Sequence, residues 1–547
     1  MRYSQTTRLC SWSTLALVAL AGCEPSAERD HLSGDTPPNV LLIVADDLGY
    51  ADLGAYGSDI RTPNIDALAS EGILFTQFHA APSCGPTRAM LMTGNNNHVA
   101  GTGRQNTFIE GLPGYENRLS DRVVPFPRLL AEAGYHTSMA GKWHLGNAPE
   151  EGPQTGGFER YWSLINGAGS HFSGTGFFEG GSTYRADGVE VEWPEGAYST
   201  EWYTDRILDF MGEAREQERP FFVFGAYTSP HWPLQVPDDY LDRYEGHYDE
   251  GYDVWRERNF DRLQTAGIIP ATTTLPPRND ALTPWTELSP DDQRSSARAM
   301  ELYAAMVENL DHHVGRLVSW LKDNGQYENT VIVFMSDNGA AYEDFYNRGD
   351  YVEYLRANYD NSPQRMGRAG SWVSYDAVWG EAGSAPFSRR KTYSREGGLV
   401  APMIVRGPTV SARGVIEDAY VTVMDLAPTF LEMAGASYPQ GGSVRPMLGE
   451  SMTGLLAGTD DRVHSDDYVT TLYHAGRGFV RRGQWKLVSL DPPFRIDGMQ
   501  LFDVIADPGE TEDLREAEPE IHAEMLALWS SEKERLGIRL ESERPAR

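Results

Sequence analysis

Three continuous runs of apolar residues lie far apart along the chain, at residues 40–44, 221–224 and 331–335. Runs of this length without polar interruptions are typical of strands buried on both faces of a parallel sheet. Helical periodicity occurs between them, over residues 127–133 and along a longer apolar stripe. That stripe comprises Leu302, Met306, Leu310, Val314, Leu317 and Leu321. The alternation predicts an α/β fold, with a large mixed, mostly parallel sheet sandwiched by helices.

The pattern changes after residue 455. Residues 479–488 predict a β-hairpin with a turn near Gly483, residues 500–504 another short strand, and residues 520–536 a terminal helix. We therefore expect a large domain over residues 39–455 and a smaller C-terminal α+β subdomain over residues 456–547, with a short antiparallel sheet. Two polar stretches, residues 240–300 and 340–390, show little periodicity, and we expect long surface insertions there.

The first 38 residues have the features of an export signal. Two arginines precede an apolar run at residues 15–20, and small residues follow up to Cys23. The run is too short to remain as a membrane-spanning helix. Residues 20–23 resemble the bacterial lipobox, which implies cleavage before Cys23 and its lipidation; an ordinary cysteine is the alternative. We expect a lipoprotein-type signal peptide over residues 1–22, a flexible tether over residues 23–38, and a periplasmic protein anchored to the outer membrane by lipid alone.

The net charge of the chain argues against polyanionic partners. Its 547 residues include 79 Asp and Glu against 47 Lys and Arg, for a net charge of −32. Nucleic acids and anionic membrane surfaces both bind to basic faces, so we expect neither as a partner. This excess of negative charge still permits a small basic pocket.

Polar side chains follow each of the three predicted strands. Asp46 and Asp47 follow the first, His231 lies beyond the second, and Asp337 and Asn338 follow the third. Ligands of open α/β sheets bind at the carboxyl ends of the strands. Three carboxylates and an amide oxygen suit Ca²⁺ or Mg²⁺ rather than zinc. The adjacent aspartates would repel each other without a cation, although a simple turn pair is the alternative.

The cysteine count raises a separate question. The chain has three cysteines, of which Cys10 would leave with the signal peptide and Cys23 would carry lipid. Cys84 is then alone in the folded protein, whereas exported proteins normally pair their cysteines. Cys84 is therefore either an inert buried thiol or a residue with a chemical role.

The residues around Cys84 form a motif, Cys84-Gly85-Pro86-Thr87-Arg88, followed by Leu91-Met92-Thr93-Gly94. The motif resembles that of the sulfatase family in the alkaline phosphatase superfamily, and bacterial arylsulfatases are the most similar. Thr87 stands where serine is commoner. Further motifs occur in the family's order: Asp46-Asp47, Gly141-Lys142-Trp143-His144-Leu145-Gly146, Ser229-Pro230-His231, Ser336-Asp337-Asn338-Gly339, and Lys391 before Glu396-Gly397-Gly398.

The resemblance implies a modified residue and a metal ion. In this family a formylglycine-generating enzyme oxidises the cysteine to formylglycine (3-oxoalanine), and the hydrated aldehyde is the nucleophile. For this chain it implies formylglycine at Cys84 and one Ca²⁺ ion held by Asp46, Asp47, Asp337, Asn338 and residue 84. The second hydroxyl of the hydrate allows the covalent sulfate to be eliminated, which a serine could not do.

The resemblance also implies roles for five further residues. Arg88 holds the hydrate and the oxygens near the metal, and Lys142 and Lys391 contact the sulfate and the ester oxygen, where negative charge grows in the transition state. His144 abstracts the proton that triggers elimination of sulfate, and His231 protonates or stabilises the leaving oxygen.

Some assignments remain open. Lys391 lies in the basic run 389–391, so either neighbouring arginine is an alternative. Asn106, Tyr227, Trp232 and residues 341–376 either line the substrate mouth, where aromatic rings suit an aryl or sugar leaving group, or pack an insertion.

Taken together, the motifs predict a sulfuric ester hydrolase of the arylsulfatase type. It would cleave a sulfate monoester, borne by a small molecule or a sugar, to an alcohol or phenol and inorganic sulfate, with residues 39–455 as the catalytic domain. One alternative is a formylglycine-dependent phosphonate monoester or phosphodiester hydrolase. Another is a non-catalytic lipoprotein that binds sulfated glycans.

Overall fold

The computed structural model describes residues 37–347, 349 and 351–544. The predicted signal peptide, Cys23 and the tether up to residue 36 lie outside the described residues. Residues Pro37–Arg547 group as one compact unit, and the predicted boundary at residue 455 stays a prediction. No helix within the described ranges is long and apolar enough to cross a membrane.

The described residues form sixteen strands. In chain order they are β1 (Asn39–Ala45), β2 (Ile73–Phe75), β3 (Phe78–His79), β4 (His136–Lys142), β5 (Arg160–Leu164), β6 (Tyr184–Ala186), β7 (Val189–Val191), β8 (Phe221–Ala226), β9 (Thr330–Ser336), β10 (Met403–Arg406), β11 (Val415–Glu417), β12 (Val421–Thr422), β13 (Val469–His474), β14 (Arg477–Arg482), β15 (Trp485–Ser489) and β16 (Gln500–Asp503).

The same residues form fourteen α-helices and eight 3₁₀ turns. The helices are α1 (Pro63–Ser70), α2 (Cys84–Thr93), α3 (Asn97–Ala100), α4 (Phe126–Glu132), α5 (Pro153–Gly156), α6 (Ser199–Glu216), α7 (Tyr252–Thr265), α8 (Pro290–Asp323), α9 (Val352–Asn358), α10 (Ala377–Gly383), α11 (Glu396–Leu399), α12 (Leu426–Met433), α13 (Thr453–Ala457) and α14 (Pro519–Leu536). The 3₁₀ turns are Gly54–Tyr56, Pro149–Glu151, Asp238–Tyr240, Trp285–Glu287, Tyr327–Asn329, Val423–Asp425, Ile496–Gly498 and Glu541–Glu543.

The main sheet has ten strands in the order β11-β2-β10-β9-β1-β8-β4-β5-β6-β7. Its five central strands, β9, β1, β8, β4 and β5, run parallel. β10 pairs antiparallel to β9, and β6 pairs antiparallel to β5. The predicted mixed, mostly parallel sheet is confirmed.

Helices cover both faces of this sheet, because alternate residues of each central strand enter different apolar cores. Leu41 and Ile43 of β1 enter the core formed with α1, α6 and α8. Leu42 and Val44 enter the core formed with α2, α4 and α12. Every residue of β1 is buried, which explains its continuous apolar run. The predicted layered α/β architecture is therefore confirmed.

A second, four-stranded antiparallel sheet lies near the C-terminus, in the order β13-β14-β15-β16. Its hairpin turns at Gly483, which has the left-handed φ of 56° that the turn requires. α14 buries Met525 and Trp529 against residues of this sheet such as Leu487. The predicted small α+β part is confirmed.

Two sequence predictions about insertions were partly wrong. Residues 240–300 contain the 14-residue helix α7, which buries Trp255, Phe260 and Leu263 in the main core. The polar residues between these positions obscured the helical period. Residues 340–390 likewise contain α9 and α10, and Trp379 of α10 is buried.

Candidate active site

Four neighbouring strands end at one place. β9, β1, β8 and β4 are adjacent and parallel, so that their carboxyl ends meet at one edge of the sheet. We call the polar cluster there the strand-end site; it comprises Asp46, Asp47, Cys84, Arg88, Lys142, His231, Asp337, Asn338 and Lys391, all with side chains at most 11% exposed.

Cys84 is the first residue of α2, a helix whose ten residues are all buried. Its Sγ lies 3.4 Å from Asp46 Oδ1 and 3.1 Å from Lys391 Nζ. Within the described ranges Cys84 is the only cysteine, and it is unpaired. Burial raises the pKa of the Cys84 thiol above its usual value, against the pull of Lys142 and Lys391.

Two cation–carboxylate pairs lie at the base of the site. Arg88 donates from Nε and Nη2 to Asp337 Oδ2, at 3.1 and 2.9 Å, and from Nη1 to the carbonyl oxygen of Lys142. Lys142 Nζ donates to Asp46 Oδ2 at 2.7 Å. These contacts hold Arg88 and Lys142 among the carboxylates, and neither residue lines the cavity above the site.

The third cation, Lys391, and the side-chain amide of Asn338 both contact Asp47. Lys391 Nζ lies 2.5 Å from Asp47 Oδ1, which also accepts a 2.6 Å hydrogen bond from Asn338 Nδ2. Asn338 Oδ1 and Asp47 Oδ2 are buried, and neither accepts a hydrogen bond. Two buried oxygen atoms therefore point into the site without a donor.

The pKa values of two aspartates diverge. Burial works against ionisation of Asp46, but the charges of Lys142, His231 and Arg88 lower its pKa well below the usual value. Burial and the charge of Asp46 raise the pKa of Asp337 to about 6. Carboxylates this close affect each other strongly unless a cation neutralises them.

Two histidines are close to the carboxylates: His231 belongs to the strand-end site, and His144 lies beside it. His231 Nδ1 donates to the carbonyl oxygen of Trp232 at 2.6 Å, and its Nε2 lies 3.3 Å from Asp47 Oδ2. Burial lowers the pKa of His231 to about 4. His144 Nε2 donates to Asn106 Oδ1 at 3.1 Å, whereas its buried Nδ1 has no partner. Burial, together with Lys142 and Arg88, lowers the pKa of His144 well below its usual value.

Four groups in the described residues are close enough to hold a metal ion. Ligand atoms of Asp46, Asp47, Cys84 and His231 all lie within 4.8 Å of one another. The first three belong to the predicted metal set, whereas the sequence prediction gave His231 only a role in proton transfer. His231 follows a strand, as Asp46 and Asp47 do, and this position could have identified His231 as a possible metal ligand from the sequence.

A cavity of about 560 Å³ opens above the cluster. Cys84, His144, His231 and Lys391 line it, as do Asn106 and Trp232. Lys391 contacts Cys84 and Asp47. These contacts support Lys391, rather than a neighbouring arginine, as the cation that this loop contributes to the site. Further lining residues belong to no motif and were not predicted from the sequence. His474 ends β13, and the others lie in loops: Arg104, Asn117, Asn166, Phe177 and Phe178.

Of the two alternatives for Tyr227, the structure supports packing and not a place at the substrate mouth. Its hydroxyl shares a 2.8 Å hydrogen bond with Thr204 in the main core, and the side chain is fully buried. The physical reason is strand periodicity, because Phe221, Val223 and Tyr227 face the same core. Of the described residues between 341 and 376, only 341–343 line the cavity.

Comparisons with known proteins agree with this arrangement. The family model described as Sulfatase matches residues 38–436, and the model described as N-sulphoglucosamine sulphohydrolase, C-terminal, matches residues 383–533. The arylsulfatase of Klebsiella aerogenes is 37% identical over 78% of this chain and 93% of its own length. An uncharacterised sulfatase of Schizosaccharomyces pombe is 36% identical over 90% of this chain and 92% of its own length.

A solved structure is similar over nearly the whole length. The crystal structure of Ps i-CgsB in complex with k-i-k-neocarrahexaose matches with a TM-score of 0.65 and 26% identity, over 92% of this chain and 93% of that chain. The chain therefore belongs to the sulfatase family, within the alkaline phosphatase-like superfamily, and is a sulfuric ester hydrolase.

Proposed function

We propose that this enzyme is an arylsulfatase-type hydrolase that cleaves a sulfate monoester with formylglycine derived from Cys84 and one Ca²⁺ ion. One observation carries the proposal. Four adjacent strand ends, the first two turns of α2 and the loop that carries Lys391 bring three carboxylates, three cationic side chains and Cys84 together beneath a cavity.

The donor set fits a hard divalent cation. Asp46, Asp47, Asp337 and Asn338 offer only oxygen atoms, and the oxygens Asp47 Oδ2 and Asn338 Oδ1 are buried without donors. Oxygen ligands favour Ca²⁺ or Mg²⁺ over zinc. A bound cation would act as a Lewis acid that stabilises negative charge in the transition state.

The charge balance favours an anionic substrate. The strand-end site holds three carboxylates (Asp46, Asp47 and Asp337) and three cations (Arg88, Lys142 and Lys391), so that these six groups sum to zero when all are ionised. A divalent cation adds two positive charges, and a buried surplus of this kind attracts an anion such as a sulfate monoester.

The two histidines present defined atoms for proton transfer. His144 donates its Nε2 proton to Asn106, so that Nδ1 is the ring nitrogen left to accept a proton. His231 donates from Nδ1 to a carbonyl oxygen, so that Nε2 is left to hold or transfer a proton at the leaving oxygen. Lys391 lines the cavity, where its ammonium group would contact the sulfate.

Formylglycine would supply the hydroxyl that attacks sulfur and the second hydroxyl that allows the sulfate to leave. Its formation requires a formylglycine-generating enzyme, which we propose as the partner that acts on Cys84 before or during folding, because Cys84 is buried in the folded protein.

The cavity suits a leaving group of moderate size with an apolar face. Phe177 and Trp232 form an edge-to-face pair 5.6 Å apart on one side, and Trp232 also contacts His231. Amide side chains such as Asn106 and Asn166 lie elsewhere in the wall. These features support either an aryl or a sugar sulfate.

A panel of substrates tests this proposal. The purified enzyme is incubated with a chromogenic aryl sulfate, a sulfated monosaccharide, a phosphodiester and a phosphonate monoester, and kcat/KM is measured for each. We expect the highest kcat/KM with a sulfate ester. A higher value with the phosphodiester or the phosphonate would contradict it. Binding of a sulfated glycan without any release of sulfate would instead indicate a non-catalytic lipoprotein.

We also propose that the protein is an exported lipoprotein anchored through Cys23. The basic residues, apolar run and lipobox-like residues 20–23 support this proposal. Labelled palmitate should be incorporated into the wild type and not into the variant Cys23→Ser. A wild-type protein that carries no label would contradict the anchor.

A further inference from the structure

The loop that carries Lys391 is held in a strained conformation. Arg389 and Thr392 have φ values of 68° and 76°, which non-glycine residues rarely adopt and β-branched threonine least of all. Two backbone bonds tie the loop down: Lys391 N–H donates to the carbonyl oxygen of Ala340 at 3.0 Å, and Thr392 N–H to that of Pro82 at 2.7 Å. A strained loop keeps its shape only if its surroundings impose it.

The loop ends at Glu396, and three groups fix this residue. Its Oε1 lies 2.5 Å from Lys486 Nζ, and its Oε2 lies 2.7 Å from His79 Nε2. Its backbone N–H donates to Glu510 Oε2 at 2.7 Å, and Glu510 Oε1 lies 2.9 Å from the same Lys486 ammonium. We call these residues and Arg481, which lies 3.8 Å from Glu396, the Glu396 cluster.

The Glu396 cluster is buried and joins distant parts of the chain. Glu396, Lys486 and Glu510 have side chains at most 2% exposed. Lys486 lies on β15, and Glu510 follows β16, so both belong to the predicted C-terminal subdomain. Although burial opposes it, Lys486 and His79 lower the pKa of Glu396 well below its usual value, which keeps the carboxylate ionised. Buried ion pairs of this kind fix geometry more than they add stability.

Two glycines transmit the position of Glu396 to the loop. Gly397 and Gly398 follow it directly and press against the carbonyl oxygens of Arg389 and Tyr393, leaving no room for a Cβ atom. The carbonyl oxygen of Gly397 presses in the same way against Gly339, the neighbour of Asn338. Because these are contacts between backbone atoms, a shift of Glu396 displaces the loop on either side of Lys391.

We propose that Lys486 and Glu510 are positioning residues that hold Lys391 against Cys84 by fixing Glu396. The inference rests on the proposed function, in which Lys391 contacts the sulfate ester, and it gives the C-terminal sheet a part in the reaction. These residues touch no substrate; they act through the loop at 388–396.

A double-mutant cycle on activity tests the proposal. Glu396→Gln keeps the shape of the side chain but removes its charge, and Lys391→Met removes the cation that the loop presents. We expect Glu396→Gln to lower kcat about 10- to 100-fold, the loss that a misplacement of about 1 Å produces, and to cause no further loss in the Lys391→Met background. An equal loss in both backgrounds would overturn the proposal.

A matched control separates positioning from simple loss of stability. Asp425 is also fully buried and bridges to the C-terminal part, where His464 Nε2 lies 2.9 Å from its Oδ2. Asp425→Asn should lower the unfolding temperature as Glu396→Gln does, while leaving kcat within about twofold, because the Asp425 carboxylate contacts Thr422, Glu450 and His464 rather than the loop at 388–396. A loss of kcat in Asp425→Asn that equals the loss in Glu396→Gln would overturn the proposal.

Hydrogen–deuterium exchange tests the same proposal without activity. We expect peptides covering residues 388–395 to exchange faster in Glu396→Gln than in the wild type, and not in Asp425→Asn. If Glu396→Gln fails to fold, Glu510→Gln, which keeps an oxygen acceptor for the Glu396 N–H, takes its place in both experiments. Unchanged exchange overturns the positioning role. Faster exchange in a protein that hydrolyses no sulfate ester supports the role and contradicts the proposed function.

Discussion

Two clusters of buried carboxylates and cations occur in the described parts of the chain, and they differ in an instructive way. The strand-end site contains three carboxylates and three cationic side chains. The Glu396 cluster contains two carboxylates with Lys486 and Arg481. Both are close to neutral overall, so that net charge does not distinguish them.

One oxygen atom without any partner distinguishes them. Both carboxylate oxygens of Glu396 have a partner within 2.7 Å. In the same cluster, Glu510 Oε1 lies 2.9 Å from Lys486 Nζ. In the strand-end site, Asn338 Oδ1 is buried with neither a hydrogen bond nor an ion pair among the described residues, and the cavity opens above the site. A buried polar atom without a partner destabilises the fold unless a ligand or ion satisfies it. The comparison indicates that the strand-end site is organised to bind a ligand, whereas the Glu396 cluster is organised to hold the loop at 388–396 in place.

The largest expected effect comes from the residue that only the strand-end site contains. Cys84→Ala should lower kcat/KM for a sulfate ester by about 10⁴-fold or more, as loss of a nucleophile does. Release of sulfate from a chromogenic substrate measures this loss. The control is thermal unfolding, which should change little because the side chain loses one small atom. Activity within tenfold of the wild type would refute the assignment of the nucleophile.

The second largest effect should come from removal of divalent metal, which acts at the strand-end site. Chelation should lower kcat by about 10³-fold, since Lewis-acid stabilisation by a metal contributes several kcal/mol, and it should lower the unfolding temperature. Added Ca²⁺ should restore both, as assays and calorimetry would measure. In Asp337→Asn with Asn338→Ala, added Ca²⁺ should no longer raise the unfolding temperature. Full activity after complete chelation would contradict the proposed metal site.

Substitution in the Glu396 cluster should cost more stability than substitution in the strand-end site. Lys486→Met leaves two buried carboxylates without their shared cation, and we expect it to lower the free energy of unfolding by about 3–5 kcal/mol. Asn338→Ala removes a group whose oxygen already lacks a partner, so it should cost less stability. Denaturant titration of the two variants measures both values. A larger loss in Asn338→Ala would break the comparison.

A buried carboxylate outside both clusters, Asp52, has no cation beside it in the described part of the chain, and it affects stability only through pH. Burial raises the pKa of Asp52 from 3.8 to about 7, although hydrogen bonds from Tyr303 and Gly49 favour its ionised form. The native state therefore keeps a proton that the unfolded chain releases above pH 3.8. As pH rises from about 4 to about 7, this group should lower the free energy of unfolding by up to about 1.4 kcal/mol per pH unit.

The variant Asp52→Asn isolates this contribution. Because asparagine does not titrate, the fall in stability between about pH 4 and pH 7 should become shallower. Denaturant titrations of the wild type and the variant at several pH values measure the difference. Parallel pH profiles for the two proteins would show that Asp52 does not titrate as described.

The sequence predicted the strand-end site better than its surroundings, for physical reasons. β1, β8 and β9 are buried on both faces, so that continuous apolar runs marked them. Polar site residues follow β1 and β9 directly, and His231 follows β8 after a short loop. Two alternatives stayed open for Tyr227 because the parity of β8 was not applied beyond its end, and this parity places Tyr227 in the main core. Glu396 belongs to a motif, but its contacts with Lys486 and Glu510 have no local signal, because these partners lie 90 and 114 residues away.

The most direct test of the account is the chemical state of residue 84 in relation to activity. Peptide mass spectrometry measures the fraction of aldehyde at this residue in preparations made with different amounts of formylglycine-generating enzyme. The account predicts that kcat per enzyme molecule rises in proportion to the aldehyde fraction and extrapolates to zero in its absence. Full activity in a preparation whose residue 84 is an intact thiol would contradict it.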